Sequence, residues 1–106
     1  MKKIGVLVSG GGTNLQALID AEKSGIIKSG KIVTVVSNKE GVYALERAKN
    51  AGIESAVITR KEHGAALCDK ILEYLKEKEV DVVVLAGFLA ILEGKLLEEY
   101  KDRIIN

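Results

Sequence analysis

The sequence contains no proline and no tryptophan, and only one cysteine and one histidine. A single cysteine excludes an internal disulfide. A lone histidine with no second histidine or cysteine pair gives no metal-ligand spacing, so no metal is expected. Aromatic residues make up 4% of the chain, three Tyr and one Phe, which is too few for base-stacking platforms. Excess charge is lacking too. Sixteen basic residues against fifteen acidic ones leave a net charge of +1, which gives no electrostatic footprint for nucleic acid. No apolar run exceeds strand length, so no membrane partner is expected. Met1-Lys2-Lys3 is followed by only Ile4 to Val8 before glycines, too short for a signal peptide. No internal repeat, linker or low-complexity tract is present. The expected compartment is the reducing cytoplasm.

What remains is a chain of 106 residues that is 47% apolar and 29% charged. That reads as one globular domain over residues 1–106, with a core large enough to fold without staples. Four apolar runs stand out: Ile4 to Val8, Ile32 to Val36, Ala56 to Thr59, and Val80 to Ala86. They are β-branched and continuous rather than alternating, the pattern of parallel strands buried on both faces. Helical stripes separate them. Leu15, Leu18, Ile19 and Ala21 mark the first, ending near Gly25. Ala44, Leu45 and Ala48 mark the second, stopped by Gly52. Leu67, Cys68, Ile71, Leu72 and Leu75 mark the third, and Leu96, Leu97 and Tyr100 the fourth. Ile104-Ile105 can begin a fifth strand. The alternation predicts an α/β fold with a Rossmann-like parallel sheet, strand order 3-2-1-4, and helices on both faces.

In that order the sheet reverses direction between strands one and four, and ligands bind outside the carboxyl ends at such a reversal. Two loops therefore matter. The first reads Ser9-Gly10-Gly11-Gly12-Thr13-Asn14-Leu15-Gln16. Its glycines let backbone N–H groups approach a ligand, and the following helix presents free N–H groups and a positive dipole end. Thr13 and Asn14 can cap that helix or bond an oxyanion. The loop reads either as a phosphate cradle or as a flexible turn with a capping side chain. No Gly-Lys-Ser/Thr follows the glycines, so the Walker pattern fails. Leu15 stands where a dinucleotide fingerprint needs its third glycine, and the second strand ends in Val36-Ser37-Asn38 without a ribose-binding acid. A nicotinamide cofactor is disfavoured, and a phosphate monoester fits better.

The second loop runs from Leu85 to Leu92. Phe88, Leu89, Ile91 and Leu92 form either an apolar wall beside the phosphate site or ordinary core between a strand and its helix. The first half of the chain, residues 1–53, has eight basic and four acidic residues, and residues 54–106 have eight and eleven. An anionic ligand is therefore expected on the first half. His63 lies at the start of the third helix, where a solvated or capping role is expected. Cys68 sits on that helix's apolar stripe and is expected to be a buried thiol. The Glu/Lys alternation from Glu73 to Glu79 reads as a solvated face.

With these loops in hand, the chain resembles the N-terminal half of the phosphoribosylglycinamide formyltransferases, also called GAR transformylases. The matching stretches are Ser9 to Gln16, Ser37-Asn38-Lys39, Leu45 to Ala48 with Ala51-Gly52-Ile53, Asp81 to Phe88 with Ile91-Leu92, and Arg103 to Asn106. They run from end to end and keep their spacing, over about half of a typical member. The resemblance implies transfer of a formyl group from 10-formyltetrahydrofolate, as co-substrate, to glycinamide ribonucleotide in purine biosynthesis, with no metal. It implies that Gly11, Gly12, Thr13 and Asn14 hold the substrate phosphate. It implies that Leu85, Leu89, Ala90, Ile91 and Leu92 line the folate pocket. Asn106 matches the asparagine of the family's catalytic Asn/His/Asp set. Ala90 departs from a basic side chain frequent at that position.

The family's catalytic histidine and aspartate follow that asparagine and are not in this sequence. The resemblance therefore implies that these 106 residues alone do not transfer formyl groups. A chain ending near the start of strand five is also expected to leave strand four as an exposed apolar edge. Such an edge favours self-association or pairing with a missing C-terminal half. The alternatives are a stand-alone phosphate-binding module and a non-catalytic fragment or scaffold.

Overall fold

Each of the four β-branched runs becomes a strand in the computed structural model, which describes residues 1–106. The strands are β1 (Lys2–Val8), β2 (Gly30–Ser37), β3 (Glu54–Val57), β4 (Val82–Leu85) and β5 (Ile104–Ile105). They form one parallel sheet in the order β3-β2-β1-β4-β5. The predicted 3-2-1-4 order holds, and β5 adds to it beyond β4. The helices are α1 (Thr13–Lys23), α2 (Tyr43–Asn50), α3 (Arg60–His63), α4 (Leu67–Glu77) and α5 (Gly94–Glu99).

Strand alternation sends neighbouring residues to opposite faces. Val6 and Val8 of β1 pack with Leu15 and Ile19 of α1 and with Ala44 and Ala48 of α2. Leu7, between them, packs with Ile71 and Leu75 of α4 and Leu96 of α5. Both sheet faces are thus covered by helices, which is why the strands are apolar throughout. Gly5 in β1 makes room for α4. A Cβ there would lie 3.0 Å from Leu75 Cδ2 and 3.1 Å from Val80. Tyr100, just past α5, donates its hydroxyl to the Val80 carbonyl at 2.9 Å, and burial pushes its pKa up.

Three expectations are corrected. Strand β3 ends at Val57, although Ile58 and Thr59 are buried and β-branched. Pairing with β2 stops because Thr59 turns the chain into α3, its side chain accepting from the Glu62 N–H at 3.2 Å. Strand β4 starts at Val82 rather than Val80, whose side chain packs against Tyr100 and Leu75 in the core. The edge of β4 is not open along its centre, because β5 pairs Ile104 with Val83 and Ile105 with Val84. The outermost strand on that side is the two-residue β5.

Candidate functional site

The carboxyl ends of the strands carry every loop singled out in the sequence. After β1, Gly12 takes a left-handed conformation, φ 79°, and is the residue from which α1 starts. Neither Thr13 nor Asn14 caps the helix, and no side chain does. The capping expectation fails because glycine makes the turn one residue earlier, leaving both side chains exposed within the first turn. No N–H from Gly10 to Leu15 donates to another backbone group. This is a continuous row of free donors at the positive end of an eleven-residue helix. A Cβ added at Gly10 or Gly11 would meet nothing within 4 Å, so the space beside these two glycines is open. Free N–H groups at a helix N-terminus are chemically suited to an anion such as phosphate.

The row is shaped from α2. The Ala44 N–H donates to the Gly10 carbonyl at 3.2 Å. Arg47 Nε donates to the Gly11 carbonyl at 2.7 Å, and its Nη1 reaches Gln16 Oε1 at 3.3 Å. Its guanidinium lies 4.8 Å from the centre of the Tyr43 ring. The carbonyls are tied down, and the N–H groups stay free.

The segment after β4 divides in two. Leu89 and Ile91 are each 76% exposed. Leu85, Phe88, Ala90 and Leu92 are half-buried and pack on the α4 side of the core. The ordinary-core reading thus holds for Phe88 and Leu92 but not for Leu89 and Ile91, which stand out from the core. Leu89, Ala90 and Ile91 also line an open cleft of about 680 Å³ with Asn38, Lys39, Thr59, Arg60 and Lys61. Three loops, after β1, β2 and β4, are joined at Ser9, which is 4% exposed. Its hydroxyl donates to Asn38 Oδ1 at 2.6 Å and accepts from the Leu89 N–H at 2.9 Å.

A family model described as formyl transferase matches residues 2–106. The chain belongs to the formyl transferase family. It is 47% identical over 108 residues to a phosphoribosylglycinamide formyltransferase of Haemophilus influenzae, covering 100% of this chain and 50% of that protein. It is 39% identical over 110 residues to the human trifunctional purine biosynthetic protein adenosine-3, covering 98% of this chain and 10% of that protein. The crystal structure of glycinamide ribonucleotide transformylase 1 from Symbiobacterium toebii superposes with a TM-score of 0.93 at 37% identity, covering 98% of this chain and 50% of that one. The chain spans about half the length of the single-function curated relatives it matches.

In a parallel sheet the strand register decides which residues share a rim. Val84 lies opposite Ile105, so Asn106 follows beyond the strand at the level of Leu85. It is exposed, on the same rim as the glycine loop. His63 ends α3, on the connection that leads from β3 toward β4. No side-chain hydrogen bond joins His63 to Asn106. Cys68 is buried, and its thiol points to the Ile91 carbonyl at 3.5 Å. No three His, Cys, Asp or Glu side chains are grouped so that they could hold a metal ion. The displaced pKa values lie away from this rim. The Glu54 carboxylate, 3.0 Å away, holds Lys78 above its ordinary value, and Tyr100 is described above.

Sequence reasoning did not single out Arg47 or the Ser9 hydroxyl as site-builders. Both lie inside stretches that carry the family resemblance, but their partners are distant in sequence. Arg47→Ala removes the charged donor from the Gly11 carbonyl. The expected result is inorganic phosphate bound about 5- to 10-fold more weakly, with about 1 kcal/mol lost in stability. Calorimetric titration and urea denaturation measure the two effects.

Proposed function

We propose that this chain forms the phosphate-binding and formyl-donor-binding part of a phosphoribosylglycinamide formyltransferase. The observation that carries the reading is the row of free N–H groups at Gly10 to Leu15, joined through one buried hydroxyl to an exposed apolar loop. In this reading Gly11, Gly12, Thr13 and Asn14 hold the phosphate of glycinamide ribonucleotide. Leu89, Ala90 and Ile91 form a surface for the flat ring of 10-formyltetrahydrofolate, and Leu85 and Leu92 support it from the core side. The ribonucleotide's amine attacks the formyl carbon, the bond from that carbon to the folate nitrogen breaks, and one proton passes from the amine to that nitrogen. The Asn106 carboxamide is a donor for the carbonyl oxygen as negative charge builds on it.

That donor does not move the proton. A base is needed as well, and His63, on α3, makes no hydrogen bond to Asn106. Residues 1–106 by themselves are therefore expected to bind ligands without turnover. The cytoplasm, where the buried Cys68 stays reduced, is the compartment this reading implies.

The test is formyl transfer by the purified full-length protein, followed as loss of the folate formyl group in the presence of glycinamide ribonucleotide. Transfer that needs both substrates is the expected result. Asn14→Ala should raise the KM for the ribonucleotide and leave the KM for the folate unchanged. Binding of sugar phosphates with no affinity for folate would overturn the reading in favour of a phosphate-binding module.

A further inference from the structure

The loop that presents Leu89 and Ile91 is weakly held by its own backbone. Between β4 and α5, no residue from Gly87 to Glu93 donates or accepts a backbone–backbone hydrogen bond. Two side-chain bonds to the rest of the chain tie it down. One runs from the Cys68 thiol to the Ile91 carbonyl at 3.5 Å, a weak donor at long range. The other is the 2.9 Å bond from the Leu89 N–H to Ser9 Oγ. Ser9 sits at the foot of the glycine loop, and its proton goes to Asn38 Oδ1 at 2.6 Å. The Asn38 N–H in turn donates to the Val8 carbonyl at 3.3 Å. A single buried hydroxyl thus ties together the carboxyl-end loops of β1, β2 and β4. A hydroxyl has one proton to give, and Ser9 gives it to Asn38, so Leu89 is met by a fixed lone pair.

We infer that Ser9 is a positioning residue that sets the apolar loop at its working distance from the anion-binding loop. The inference rests on the formyl-transfer reading for the identity of the two ligands. The geometry predicts an asymmetric effect. Without the hydroxyl, the glycine loop keeps its ties to Ala44 and Arg47, so phosphate binding survives. The Leu89 loop loses its stronger tie, so the ligand that lies on it loses its surface.

The experiment is Ser9→Ala in the full-length protein, with two measurements. Amide hydrogen exchange at Leu89 is expected to speed up about 10-fold or more, because its only acceptor is gone. The KM for the folate substrate is expected to rise about 5- to 20-fold, with the KM for the ribonucleotide changed less than about 2-fold. A residue that merely stabilised the fold would raise both KM values together, and that result overturns the inference. Unchanged exchange at Leu89 overturns it as well. A wild-type protein that transfers no formyl group counts against the functional reading alone, since Leu89 exchange in Ser9→Ala still decides whether the tether exists.

Discussion

Gly12→Ala is expected to destabilise the protein by about 2–4 kcal/mol and to abolish phosphate binding. Two costs act at once. Gly12 has φ 79°, in the left-handed region, where an L side chain costs about 1–2 kcal/mol. The new Cβ would also sit 2.8 Å from Ala44 Cβ and 2.9 Å from Ala44 Cα. No rotamer change relieves a clash with a main-chain carbon, so α2 must move. Overpacking of this kind costs about 1–3 kcal/mol. Moving α2 also displaces Arg47 and Ala44, which fix the Gly11 and Gly10 carbonyls, so the row of free N–H groups loses its shape. Gly10→Ala is the control. It meets nothing within 4 Å, and its expected effect is within about 0.5 kcal/mol of zero. Urea denaturation of both variants, with phosphate titration, makes the comparison. A Gly12→Ala protein as stable as Gly10→Ala would show that the turn is plastic and that the cradle is not built this way.

The same loop marks the limit of what the sequence discloses. Continuous β-branched runs such as Ile32 to Val36 indicate strands buried on both faces, and the strand order follows from the handedness of crossovers. Placement at edges is less legible. Ile58 and Thr59 look like strand residues and are buried, yet Thr59 caps α3 instead. The signal was the Thr59-x-x-Glu62 spacing, which outweighs β-propensity at a strand end. Three glycines before Thr13 indicated a tight turn, but not which glycine would take the left-handed conformation. For that reason, of the two roles open to Thr13 and Asn14, capping is excluded and contact with an oxyanion stays open. The apolar letters of Leu85 to Leu92 could not reveal that Leu89 and Ile91 face outward while Leu85 and Leu92 face the core. The bonds that tie this loop to the rest of the chain, at Leu89 and Ile91, have partners 80 and 23 residues away.

Asn106→Ala is expected to lower kcat for formyl transfer by about 100- to 1,000-fold, the usual cost of one oxyanion donor. The effect should fall on kcat rather than on phosphate affinity. Asn106 follows β5, with β4 standing between it and the β1 loop, and it makes no hydrogen bond to that loop. Asn106→Asp separates the amide's function from its size. The carboxylate is nearly isosteric, but it donates no hydrogen bond, and in the proposed reading it would place negative charge beside an oxygen that is becoming negative. Its kcat should therefore be no higher than that of Asn106→Ala. Removing a surface side chain at the end of a two-residue edge strand should change stability by no more than about 0.5 kcal/mol. A loss of kcat without loss of stability or of phosphate binding thus isolates the chemical step. If Asn106→Asp retained near wild-type kcat, no donor would be required at that position, and the role proposed for the Asn106 amide would be overturned.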